Sequence, residues 1–123
     1  MTAMPQTDGS QRAIEVHIFP EAMRGTGEGH RPWDLAPNST MTNANVEHAV
    51  TGAEGQTLTL KYKEGEKKIV VPSEAAIVTF VPGERSDLKT GAKIFIPAAS
   101  KQPDGTLSAQ RIIFGKDGVT PPM

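Results

Sequence analysis

Three histidines, a glycine run between arginines and a cluster of lysines are the side chains here that could do chemistry. Metal sites favour histidines and carboxylates at close spacing. His17, His30 and His48 show neither an HxH nor an HxxxH spacing. His30 does have Glu28 and Asp34 nearby, which gives a small-ligand or metal-handling alternative built on the same loop. Ser39, His30 and Asp34 contain the residue types of a hydrolytic triad, but no strand-to-helix elbow fixes a nucleophile against its base. Gly25-Thr26-Gly27-Glu28-Gly29, with Arg24 and Arg31 beside it, resembles a phosphate cradle in composition only. Such a cradle aims its amides from a helix start, and no helical period or GK[ST] ending follows. Lys61, Lys63, Lys67 and Lys68 are read as a basic patch on the outer face of a hairpin, which would suit an oligonucleotide or oligosaccharide. That binding relies on stacking aromatics, and the chain has one Trp, one Tyr and four Phe. Glu54, Glu64 and Glu66 dilute the patch, and 13 basic against 14 acidic residues argue against a partner held by phosphate contacts. No catalytic residue, no cofactor and no metal centre is expected.

The elements that position these groups are strands. Leu58, Leu60 and Tyr62 alternate with Thr57, Thr59, Lys61 and Lys63, the two-residue period of a half-buried strand. Glu64-Gly65-Glu66 supplies a reversal, and Lys68-Ile69-Val70-Val71 returns as a second strand stopped by Pro72. Around this hairpin, Val46, His48 and Val50 are read as one face of a short strand, and residues 76–81 as a third apolar run. Ser86-Asp87-Leu88-Lys89-Thr90-Gly91 reads as a helical turn with Ser86 as N-cap. Residues 92–99 and 106–114 read as the closing strands. Residues 20–42, rich in Gly and Pro, show no period and read as an irregular connector, with Trp33 as a packed anchor and the Arg24–Asp34 stretch as the contact surface. The whole chain, with 12 Gly and 10 Pro, favours short strands and many turns. The fold class expected is all-β: a small OB-like barrel of five or six strands with one helical turn, plus an extra N-terminal hairpin. No apolar run approaches the ~20 residues of a membrane-spanning helix.

The two ends of the chain match. Shifted by 96 positions, Ala3, Gln6, Asp8, Gly9 and Ala13 fall on Ala99, Gln102, Asp104, Gly105 and Ala109, while Val16 and Ile18 fall on Ile112 and Phe114. Residues 1–19 therefore read as the last hairpin of a truncated first repeat, 20–42 as connector, 43–115 as a complete repeat and 116–123 as a loosely held tail. On this reading Met1 is not the natural start, and another copy of the pattern precedes Thr2.

Val50-Thr51-Gly52-Ala53-Glu54-Gly55-Gln56-Thr57-Leu58-Thr59-Leu60, then Ile69-Val70-Val71-Pro72, and later Leu88-Lys89-Thr90-Gly91 resemble the repeats of an exported bacterial OB-like β-barrel family of unknown function. His17-Ile18-Phe19-Pro20 through Trp33-Asp34 resembles the connector of its two-repeat subgroup, sometimes labelled metal-transporter permeases. The resemblance implies a periplasmic or exported, non-catalytic module that binds or supports something in the cell envelope. Its partner would be an envelope protein or a second copy met through the N-terminal strands. Arg24, Gly25, Gly27, Gly29, His30, Arg31, Trp33 and Asp34 are the candidate ligand-binding residues.

Overall fold

The structure, a computed structural model, describes residues 1–53 and 55–121. It is all-β with two 3₁₀ turns, and it divides into Met1–Phe80 and Val81–Met123. In the first unit β1 (Thr2–Pro5), β2 (Gln11–Ile18), β3 (Gly29–Pro32), β4 (Thr40–Asn43), β5 (Asn45–Gly52), β6 (Gly55–Tyr62), β7 (Gly65–Val71) and β8 (Ala76–Thr79) form one sheet. Its order is β3-β4-β1-β2-β7-β6-β5, with β8 also against β2.

The alternation of residues 57–63 does what it predicts. β6 and β7 pair antiparallel from Gln56↔Val71 to Tyr62↔Gly65, which places Leu58 opposite Ile69 on one face. Leu60 and Ile69 are 1% and 0% exposed, and with Ala3, Ala13, Val16, Leu58 and Val71 they make the core. Gly55 begins β6 at a φ of +125°, and a Cβ there would collide with the Val71 carbonyl oxygen.

β2 then joins the two halves of the sheet. One of its edges pairs with β1; the other pairs in parallel with β7 (Gln11↔Ile69, Arg12↔Val70) and then with β8 (Glu15↔Ala76 to Ile18↔Thr79). β7 and β8 thus run in one direction along the same edge, interrupted by a detour at residues 72–75. Pro72, which has no N–H for the ladder, starts that detour, and the Ala75 amide donates to its carbonyl at 3.1 Å.

Several expectations are corrected. Residues 20–42 are not irregular throughout: they hold the 3₁₀ turn Glu21–Met23, β3 and most of β4. The two strands have four residues each, and β3, at the edge, carries Gly29 and Pro32, so both are too short to show a period. Val46, His48 and Val50 do not share a face. A register shift between Val46 and His48 puts Val46 opposite Leu60, but His48 opposite Thr59 and Val50 opposite Thr57, as a bulge does. The sheet is open rather than a closed barrel, because no ladder joins β3 to β5. It is nevertheless rolled: His30 on β3 stacks on Tyr62 of β6 at 6.3 Å, and the Arg24 Nη1 donates to Asn45 Oδ1 of β5 at 3.0 Å.

In Val81–Met123 the 3₁₀ turn Arg85–Asp87 is capped by Glu84, not Ser86: Glu84 N donates to the Asp87 carboxylate at 2.9 Å. The expected long strands are two short pairs, β9 (Ile94–Phe95) with β12 (Ile113–Phe114) and β10 (Ser100–Lys101) with β11 (Leu107–Ser108). Pro97 interrupts the first limb. The tail's Pro121 is buried.

Truncating Ile69 to Ala is expected to cost about 2–5 kcal/mol in urea unfolding, against no more than about 0.5 kcal/mol for Val50→Ala on the exposed β5. Equal losses at the two positions would contradict the assignment of the core to the β6–β7 face.

Candidate functional site

The residues singled out in the glycine-rich connector come together only in part. Arg24 is held by Glu21 in a two-pronged pair, Nε to Oε1 at 2.7 Å and Nη2 to Oε2 at 2.8 Å, so its charge is matched on the spot. The Arg31 Nη1 donates to the Gly27 carbonyl at 3.0 Å, and its Nη2 lies 3.7 Å from Met41 Sδ. The run containing Gly25 and Gly27 is wound into successive turns, with Arg24 N on Glu21 O, Thr26 N on Met23 O and Glu28 N on Gly25 O. Those amides are occupied, which is not the arrangement of a phosphate cradle. Gly29 is buried at the start of β3. Trp33 is half-buried, its backbone N–H on the Ser39 carbonyl at 2.8 Å, and Asp34 is exposed.

The triad residue types do not assemble. Ser39 is 1% exposed and its hydroxyl donates to the Trp33 carbonyl at 3.0 Å while accepting from the Ala36 amide at 3.2 Å. His30 Nδ1 sits 2.8 Å from Thr42 Oγ1. Among the described residues no three His, Asp or Glu side chains stand close enough to share a metal ion.

The lysines separate too. Lys67 lies opposite Leu60 and so projects on the core-facing side, half-buried, while Lys61 and Lys68 lie opposite Glu66 and Thr59 on the outer side. Lys61 pairs with Glu47 at 3.4 Å, and Lys63 is exposed in the turn. A single basic outer face of four lysines is therefore not present, for a simple reason: Lys67 and Lys68 are consecutive in a strand and must point oppositely.

What the fold does build is a cleft of about 330 Å³ where the end of β2 meets the connector and β5. His17, Phe19, Arg24, Asn43, Asn45 and Leu60 are among its lining residues. The ring of His17 lies 5.3 Å from Phe19 and 3.9 Å from Phe80, and the two phenyl rings are nearly parallel at 6.2 Å. His17 Nε2 is buried with no hydrogen-bond partner. An orphaned polar atom in such a place costs desolvation free energy, on the order of 1–3 kcal/mol, that a partner would restore. Of the residues lining the cleft, which include Gly25, only Arg24 and Gly25 belong to the sequence-derived set. The His17-Ile18-Phe19 spacing was the available signal, since residues two apart on a strand share a face. Phe80 gave none.

Burial lowers the pKa of His17 below its ordinary 6.5, and the positive Met1 amino group lowers it further. His30 is lowered as well, first by burial and then by the charge of Lys67. The fold thus favours the neutral form of both rings. Protonation then favours the unfolded chain, so their contribution is complete above the ordinary histidine pKa and is lost as the pH falls through the depressed values. Lowering the pH from about 7.5 to about 5 is expected to reduce the denaturation midpoint, and His17→Phe is expected to flatten that slope. A steeper or unchanged slope in His17→Phe would refute the neutral, desolvated ring.

No protein family, no curated protein and no solved structure matches this chain, so the cleft's chemistry is read from its own residues.

Proposed function

We propose that the chain is a non-catalytic binding module of the cell envelope, whose cleft beside His17 takes a flat, uncharged group bearing a hydroxyl. The envelope setting rests on the family resemblance alone. The single observation behind the binding role is the unpartnered Nε2 of His17, a cleft-lining residue whose ring packs against Phe19 and Phe80. Whichever ring tautomer is present, a hydroxyl satisfies it, because it both donates and accepts. The aromatic surroundings favour a planar body. A charged group is disfavoured: Arg24, the cleft's guanidinium, is already neutralised by Glu21. The volume, about 330 Å³, falls at the small end of the ~300–1,000 Å³ typical of ligand pockets.

The probe is phenol, titrated into the full chain while amide shifts are followed by NMR. The expected shifts cluster at residues 16–19, 24–25 and 43–46. Affinity is expected to drop by at least about tenfold, roughly 1.4 kcal/mol, in His17→Leu and in Phe19→Ala. Shifts scattered over the surface, or the same affinity in His17→Leu, would remove the cleft from the proposal.

A further inference from the structure

Three Asp-Gly steps occur in the chain: Asp8-Gly9, Asp104-Gly105 and Asp117-Gly118. Each is chemically vulnerable, because glycine has no Cβ to keep its backbone nitrogen away from the preceding carboxyl carbon. Attack by that nitrogen closes a succinimide ring and expels one carboxyl oxygen as water. Water then opens the ring at either carbonyl, returning aspartate or giving isoaspartate, whose backbone runs through the side-chain carbon. One water leaves and one returns, so the step balances without a co-reactant.

The fold holds two of the three steps against this reaction. Asp8 Oδ1 accepts from the Ser10 amide and hydroxyl at 2.9 and 2.6 Å, and Asp104 Oδ1 from those of Thr106 at 3.0 and 2.6 Å. The hydroxyl bonds first, and the amide bonds after them, lower both carboxyl pKa values below the ordinary 3.8. They favour the ionised carboxylate, from which oxygen leaves poorly. The attacking nitrogens are occupied as well: Gly9 N donates to Gln6 O at 3.2 Å, and Gly105 N to Gln102 O at 3.0 Å. A further bond ties each turn, Gln6 N to Ser10 O at 2.9 Å and Gln102 N to Thr106 O at 2.8 Å.

Asp117-Gly118 has none of these restraints. Its turn is closed by Val119 N donating to Lys116 O at 3.1 Å, a bond that involves neither reacting atom. Val119 stands two residues after the aspartate, where the other turns have the hydroxyls of Ser10 and Thr106. Among the described residues no hydrogen bond holds the Asp117 carboxylate or the Gly118 amide. Asp117 also has a φ of +54°, a left-handed conformation that a Cβ disfavours, so the turn gives up little when the backbone rearranges there.

We propose that Asp117 is a site of spontaneous modification, converting to isoaspartate through the Gly118 nitrogen, while the turns at Asp8 and Asp104 protect theirs. Every bond in the comparison spans four residues or fewer, so it is a property of each turn by itself.

The folded full-length protein is aged at mildly acidic pH and body temperature, and isoaspartate is measured at each site in peptic peptides by mass spectrometry. It is expected to accumulate at Asp117 at least about tenfold faster than at Asp8 or Asp104, the factor that one hydrogen bond to a charged group supplies. Thr106→Val, which removes the hydroxyl bond to Asp104, is expected to raise the rate at Asp104 and leave Asp117 unchanged. In the chain unfolded by urea the three rates are expected to converge. Similar rates at all three sites in the folded protein overturn the proposal. So does a preference for Asp117 that persists undiminished in urea, because local sequence rather than the folded turns would then set it.

Discussion

Everything in the first sheet depends on one strand having two different neighbours along one edge. β2 lies against β7 for two residues and against β8 for four, and only the detour at Pro72 lets the two segments follow each other along it. Without that edge the β1–β2 hairpin and the β5–β7 meander would be separate ribbons, each with one apolar face and too few strands to bury it. With it, Ala13 and Val16 from one side and Leu60, Ile69 and Val71 from the other meet in a common core. Parallel pairing between segments so distant in sequence carries a large loop-closure cost, so it is the buried apolar face rather than the ladder that decides it.

The rolling of the sheet follows from the same core. Side chains of β3 and β6, at opposite sides of the strand order, touch through His30 and Tyr62. Twist supplies the curvature, but ladder closure does not occur. β5 is exposed along its whole length, and its bulge turns His48 and Val50 to the side opposite Val46. An edge that changes face within four residues offers a poor template for a closing strand, and bulges protect edges in this way. Arg24 and Asn45 then span the gap between connector and β5, and the cleft is the space that incomplete closure leaves.

The legible part of this fold was the part set by local chemistry. Alternation at residues 57–63 gave the central hairpin with its inward leucines, and Asp-Gly turns gave the two terminal hairpins, because both signals are complete within a dozen residues. The connector strands were illegible: four residues each, with β3 at the edge and ending in proline, express no period. The face of Lys67 could have been read, since its neighbour Lys68 had to take the other one. The cleft was illegible for a different reason. His17 and Phe19 are two apart on one strand, but Phe80, Arg24 and Asn45 reach them only through long-range pairing that no local pattern encodes.

Which hairpin fills the β7–β8 edge was the least legible of all, and the reason is physical. Two segments of this chain carry the same turn and, beside it, the same two cross-strand pairs, although β1–β2 then shifts its register and the second hairpin does not. Local sequence therefore predicts both as suitable partners for one edge, and only non-local terms separate them. Those terms are small in number. Gln11 is buried against Thr40 of β4, a contact that commits β2 to a sheet extending on through β1 and β4. Its counterpart is Leu107, which can commit to no such bond and gains only from burial. The resident hairpin is thus set apart by a polar contact to its own extra strands. The His17 cleft belongs to the resident arrangement, since the position matching His17 in the duplicate is Ile113, which has no ring nitrogen to offer. The hairpin that lies along β7 and β8 is therefore also the one that brings His17 to the cleft.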